Sequence, residues 1–236
     1  MSDTSSAAVP VLAIDGPSAS GKGAVAERVA QALGFHYLDS GLMYRATALA
    51  ADRADVRFDD EAAVTRLAAN LPVTFSAGGV WLGGECVSEA LRSEACSENA
   101  SRVALLPAVR AALLERQRAF RKPPGLVADG RDMGSVVFPD ASLKIFLTAS
   151  PDARVSRRYK QLMEKGIHAN IQKLLEDIRQ RDARDFGRAI APLQVASDAS
   201  ELDSTDMTID AVVSEVIRRY SESSAHAPAQ RESGPR

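Results

Sequence analysis

An apolar run, Val11-Leu12-Ala13-Ile14, feeds directly into Asp15-Gly16-Pro17-Ser18-Ala19-Ser20-Gly21-Lys22-Gly23-Ala24, and a helical stripe of Val25, Val29 and Leu33 follows. No other segment constrains the fold as strongly. Gly16 and Gly21 stand at the G-x-x-x-x-G-K spacing, with Lys22 next. Glycine lets a backbone turn tightly enough for successive N–H groups to face an oxyanion. The lysine adds a mobile positive charge, and the helix that starts here adds the positive end of its dipole. A strand before the loop and a helix after it separate a phosphate-binding loop from an ordinary glycine-rich turn. One departure stands out: the hydroxyl that ordinarily follows the lysine is missing, because Gly23 and Ala24 occupy those positions.

With 236 residues, 45% apolar and 25% charged, the chain has material for one α/β core carrying insertions. Its net charge of −2 provides no global attraction to nucleic acid or an anionic membrane, and neither partner is expected. A phosphate site must therefore gather positive charge locally. Two cysteines, Cys86 and Cys96, are too few for a disulfide framework and point to a reducing compartment. The opening Met1-Ser2-Asp3-Thr4 lacks the pattern of a signal peptide, and no apolar stretch is long enough to span a bilayer. The expectation is a cytoplasmic protein.

Beyond the loop, residues 35–38 read as a short strand, and a helix carrying Met43, Ala46, Leu49 and Ala50 follows. Asp59-Asp60-Glu61 opens another helix, its acids suiting the dipole. From Pro72 the period changes: Val73-Thr74-Phe75 and Val80-Trp81-Leu82 flank Ala77-Gly78-Gly79, a hairpin signal. This antiparallel piece reads as an insertion over about residues 71–87, with helical stretches at 88–102 and 107–121, the second opened by Pro107. Buried parallel strands resume with Leu126-Val127-Ala128-Asp129 and Leu143-Lys144-Ile145-Phe146-Leu147. Pro151 opens a basic helix that Gly166 breaks; residues 171–184 form the next. Thr208-Ile209 reads as a last strand edge before a helix over 210–220. Residues 1–8 and 223–236, rich in small and charged residues, read as disordered ends of a single domain spanning 9–222. The predicted fold is α/β, a doubly wound parallel sheet with a small antiparallel insert. Ligands in such sheets bind beyond the carboxyl ends of the strands, where Gly16, Asp39-Ser40 and Asp129-Gly130-Arg131 all lie.

Three further segments carry chemistry. In Asp39-Ser40-Gly41-Leu42-Met43-Tyr44-Arg45, Ser40 holds a strand-to-helix junction suited to a helix cap, and Arg45 lies one turn on, within reach of the cleft. Asp129 ends an apolar strand opposite the phosphate loop, the place of an acid that helps hold Mg²⁺, and Arg131 and Asp132 follow it in the next turn. Arginines concentrate on two helices, Arg154, Arg157 and Arg158 on one and Arg179, Arg181, Arg184 and Arg188 on or beyond the other. Part of such a run makes solvated pairs such as Asp177–Arg181. Two hinged basic helices also suit a lid over a nucleoside triphosphate.

Together these segments resemble the nucleoside monophosphate kinases, and within them the bacterial cytidylate kinase family. The resemblance rests on Asp15-Gly16-Pro17-Ser18 with Gly21-Lys22-Gly23, on Asp39-Ser40-Gly41 with Tyr44-Arg45, and on Gly130-Arg131-Asp132-Met133-Gly134 continuing through Asp140. It extends through Leu143–Leu147 into the region from Arg181-Asp182 to Ala191-Pro192, covering about residues 9–220. It implies the P-loop kinase fold of that family, with core segments at 9–39, 123–152 and 190–222, an acceptor-binding region with the antiparallel insert at 40–122, and an arginine-rich helical lid at 153–189. It implies transfer of the ATP γ-phosphoryl group to CMP or dCMP, with Mg²⁺ bound through the phosphates and Asp129 backing it at one remove. Residues 16–24 with Arg154, Arg157 and Arg158 would bind ATP. Ser40, Arg45, Ser101, Arg110, Arg131, Asp132, Arg181, Asp185 and Arg188 would surround the acceptor. Among these, Ser101, Arg110 and Asp132 would read the cytosine edge, Arg45, Arg131 and Arg188 would clamp the phosphate, and Asp185 with Arg181 would meet the sugar. Lys22, Arg131, Asp132 and Arg188 would be the catalytic set, in a protein acting as a monomer. Where the family has threonine, this chain has Ala24; Ser18 or Ser20 could make up the lost hydroxyl.

Other readings stay open at this point. One is a P-loop kinase of another small acceptor, UMP or shikimate; another is a non-catalytic nucleotide-binding regulator. The chain has no Asn-Lys-x-Asp segment of the kind guanine-specific switches carry.

Overall fold

The computed structural model describes residues 9–76, 79–164 and 166–226. In chain order, β1 (Val11–Asp15) leads to α1 (Lys22–Leu33), β2 (His36–Asp39), α2 (Ser40–Arg53) and α3 (Glu61–Ala69). The insert holds β3 (Val73–Ser76), β4 (Gly79–Leu82) and β5 (Glu85–Cys86), followed by α4 (Glu94–Val103) and α5 (Pro107–Arg118). The chain then returns through β6 (Leu126–Gly130), β7 (Leu143–Thr148), α6 (Pro151–Glu164), α7 (Ile171–Phe186), β8 (Ser200–Asp203) and α8 (Ile209–His226). The main sheet runs β2-β6-β1-β7-β8 with every neighbouring pair parallel.

Alternation along the strands divides the core into two layers. Val11 and Ala13 of β1, with Leu126 and Ala128 of β6, face Met43, Val64, Val103 and Leu113 from α2, α3, α4 and α5. Leu12, Ile14, Val127, Ile145 and Leu147 face the other way, onto Val25 and Val29 of α1 and Val212 and Val216 of α8. Both faces are covered, which is why β1 and β6 read as unbroken apolar runs. Each fully buried Leu, Ile or Val in these layers contributes roughly 1.5–3 kcal/mol. The chain is therefore a doubly wound α/β protein with a separate antiparallel sheet, β3-β4-β5. That small sheet buries Val80 and Leu82 against Leu71, Val87, Leu91 and Ala46.

Several boundaries differ from the sequence reading. The insert has a third strand, β5, too short for periodicity to reveal; residues 77–78 of the expected hairpin turn lie outside the described residues. The stretch 88–102 splits into a 3₁₀ turn at Ala90–Arg92 and α4, because the Ser93 side chain accepts from Cys96 N at 3.1 Å and starts a new helix. Thr208-Ile209 is no strand: Thr208 Oγ1 accepts from Ala211 N at 3.2 Å in the first turn of α8. The last strand is Ser200–Asp203, an edge strand with a single buried apolar residue, Leu202, and hence little pattern to read. Helix α8 continues through 223–226, expected as part of a disordered tail, while 1–8 and 227–236 lie outside the described residues. Among the described residues no helix is long and apolar enough to cross a membrane.

Candidate active site

The strand ends of β1, β2 and β6 converge on one cleft of about 510 Å³, roofed by α4, α6 and α7. The phosphate loop leaves β1 at Gly16, where a Cβ would stand 2.1 Å from the Leu147 carbonyl oxygen, so only glycine fits under β7. Positive φ at Ala19 (58°) and Gly21 (91°) curls the loop into the form whose amides gather around an anion. Lys22 begins α1, and its Nζ donates to the Pro17 carbonyl at 3.1 Å. Burial, and next the positive charge of Arg131, push this ammonium down to about 7.

Across the loop, Asp129, one residue before the end of β6, accepts from the Tyr37 hydroxyl at 3.1 Å. Burial, then the neighbouring carboxylate of Asp39, raise Asp129 to about 7. A Cβ on Gly23 would lie 3.1 Å from Asp129 Oδ2, so the carboxylate occupies the space beside the lysine that a larger residue at 23 would need. Two crowded carboxylates facing a phosphate loop suit a hydrated cation held mainly by phosphate oxygens. At β2, the helix cap is Asp39, which accepts from Leu42 N at 3.2 Å; Ser40, expected in that role, is instead the first helical residue.

Opposite the loop, Arg110 and Asp132 form a buried ion pair, with the Arg110 guanidinium 5.7 Å above the Tyr44 ring. Arg131 donates from Nε to Asp185 at 2.7 Å, and Arg45 donates to the Leu91 carbonyl at 2.9 Å. Arg181 donates to Ser97 Oγ at 2.6 Å rather than pairing with Asp177. Ser101 Oγ, Arg181 Nε and Arg188 Nη2 are buried without a hydrogen-bond partner among the described residues. Unspent polar groups in a cleft are costly unless a ligand satisfies them.

Ser18, Ala19, Lys22, Gly23, Asp129 and all nine expected acceptor residues line this cleft. The other expected donor residues divide. Arg158 lines the cleft, but Arg154 donates to Ser18 O at 3.1 Å and pairs with Asp182 at 2.6 Å. Arg157 reaches Ser20 O at 2.9 Å and Ser204 Oγ at 3.0 Å, bracing the loop from behind. Gly16, Pro17, Ser20, Gly21 and Ala24 do not line the cleft.

The cytidylate kinase family model matches residues 12–222. The chain belongs to that family. A cytidylate kinase of Chromobacterium violaceum is 58% identical over 217 residues, covering 92% of this chain and 98% of the relative. Cytidylate kinases of Nitrosomonas europaea and Bordetella pertussis are 56% and 58% identical over 214 and 213 residues, covering 91% and 90% of this chain and 96% of each relative.

This family member also presents cleft residues that the sequence reading passed over. Glu94, Ser97 and Glu98 line the cleft from α4 on the same face as Ser101. Glu94 meets Arg158 and Glu98 meets Arg184, so α4 touches both α6 and α7. Spacing of 94, 97, 98 and 101 at i, i+3, i+4 and i+7 was the available signal.

Proposed function

We propose that the protein transfers the γ-phosphoryl group of ATP to CMP and dCMP. The observation that carries this reading is the buried Arg110–Asp132 pair beside Ser101 and Tyr44, facing the phosphate loop across one cleft. Cytosine presents an exocyclic amine that needs an acceptor and a ring nitrogen and carbonyl that need donors. Asp132, Arg110 and Ser101 supply that set. A shikimate-type acceptor has no use for it, and family membership does not favour the other acceptors considered above.

Arg45, Arg131 and Arg188 hold the acceptor phosphate, planar forks being better matched to it than a point charge. Asp185 and Arg181 meet the sugar. Arg158 contributes to ATP, and Arg154 and Arg157 act on it through the loop they brace. The attacking oxygen belongs to a phosphate already largely dianionic near neutrality, so no residue need remove a proton. Lys22 and the arginines align the two phosphates and neutralise the charge that spreads during transfer. Mg²⁺ bound through the phosphates would supply further neutralisation, with Asp129 and Asp39 behind it. Helices α6 and α7, joined by Val155, Leu162, Leu174 and Ile178, form the lid that keeps water from the γ-phosphate. We take the protein to work in the cytoplasm as a monomer, without nucleic-acid or membrane partners.

The test is ADP production with CMP, dCMP, UMP, AMP and dTMP compared side by side. The expected order puts CMP and dCMP first. Equal rates with all five, or a preference for AMP, would overturn the reading.

A further inference from the structure

Asp15 has no place in the chemistry above, yet it is a buried carboxylate at the end of β1, just behind a cleft that it does not line. The β1–β6 ladder ends at the Asp15–Gly130 pair. Past that point the chain leaves the sheet, and the Asp15 side chain takes over the restraint. Its two oxygens accept from Met133 N and Gly134 N, each at 2.8 Å. These amides open a π-helical turn, Met133–Val137, that begins directly after Arg131 and Asp132.

The local sequence is built for this grip. A Cβ on Gly134 would lie 3.1 Å from Lys144 Cγ and Cδ and 3.4 Å from Ala13 Cβ, so glycine lets the turn lie flat on the sheet. A Cβ on Gly130 would stand 2.6 Å from Ser40 Oγ. Burial pushes the Asp15 carboxyl up to about 6, against the two amide hydrogen bonds that pull it down. An acid this deep is tolerated because both oxygens are satisfied. Asp15 is also the residue before Gly16. One side chain therefore joins the start of the phosphate loop to the turn that presents Arg131 to Asp185 and Asp132 to Arg110.

We propose that Asp15 is a positioning residue that sets the Arg131–Asp132 turn in register with the phosphate loop, so that donor and acceptor phosphates align. This rests on the kinase reading above. A displacement of about 1 Å in such a site costs on the order of 100-fold in rate.

In Asp15→Asn one amide keeps an acceptor and the other faces an NH₂ group. The expected result is a kcat with CMP lower by about 10- to 100-fold, while equilibrium affinity for a non-hydrolysable ATP analogue changes by less than about threefold. Amide exchange across residues 131–137 should accelerate. In a double-mutant cycle with Arg131→Lys, the combined loss in kcat should not exceed the larger single loss, because both changes disturb one alignment. An unchanged kcat, multiplying losses, or an equal fall in ATP affinity would overturn the proposal. If Asp15→Asn does not fold, Asp15→Glu carries the same measurements, since its longer side chain displaces the turn while keeping the charge. Exchange needs no turnover: wild-type protein inactive on every acceptor would overturn the kinase reading, whereas unchanged exchange at 131–137 would overturn the restraint.

Discussion

Arg131 donates from Nε to Asp185 Oδ2 across 2.7 Å, joining the turn after β6 to helix α7. Burial alone would push the Asp185 carboxyl up; the charge and hydrogen bond of Arg131, with the charges of Arg188 and Arg181, outweigh it and hold the group below its ordinary 3.8. Replacing Asp185 by Ala leaves a buried guanidinium without its main counter-ion, and the expected loss of stability is about 3–5 kcal/mol. Because the folded value is depressed, the contribution is complete above the ordinary value and fades as pH falls through the folded one. Urea unfolding of wild type and Asp185→Asn should therefore differ more at pH ~7 than at pH ~3. A gap that is the same at both would remove the ion pair as its cause.

Lys22 carries the opposite linkage. Its folded value is lowered to about 7 from 10.5, chiefly by burial. The unfolded chain holds that proton more tightly, so the nucleotide-free protein gains stability from this group as pH rises between those values. A bound triphosphate favours the ammonium again, and ATP binding at pH ~8 should take up a fraction of a proton. Calorimetry in two buffers of different ionisation enthalpy measures it. Lys22→Met should abolish the uptake and lower kcat by roughly 100- to 1,000-fold; uptake unchanged in that variant would assign the proton elsewhere.

Ala24 is exposed in the first turn of α1, so a threonine side chain can be placed there without repacking the core. A restored hydroxyl is worth about 1 kcal/mol, or roughly fivefold in affinity. Ala24→Thr should lower the Mg²⁺ concentration for half-maximal rate by about that factor and leave thermal stability unchanged. Identical Mg²⁺ curves for the two proteins would show that the site is complete without it.

Arg157 and Arg158 are adjacent in sequence and should behave differently. Arg157 spends its donors on the Ser20 carbonyl and on Ser204, so Arg157→Ala should cost about 1.5–3 kcal/mol of stability through lost charged hydrogen bonds. Arg158 meets Glu94, a half-exposed partner, and Arg158→Ala should cost less than about 1 kcal/mol while raising KM for ATP. Thermal unfolding together with ATP saturation curves separates the two; equal effects on both quantities would contradict the assignment.

The phosphate loop, the parallel strands and the antiparallel insert were legible in the chain because each is announced locally. A glycine spacing, a continuous apolar run or a change of period involves residues within a few positions of one another. The nine residues expected around an acceptor came from motif resemblance, and the fold brings all nine to the wall of one cleft. Edge strand β8 was missed because an edge strand with one buried side chain has almost no pattern.

What the chain by itself determined is which residue types stand at the mouth of the sheet. Only the tertiary structure decided how they are paired. Asp15 reaches amides more than a hundred residues away, Arg157 turns to a carbonyl of the loop, and Arg131 crosses to α7. Periodicity records which face of an element is buried, a property averaged over many side chains. The partner of a single charge depends on the distances between folded elements, and those exist only once both layers of the core have closed on the sheet.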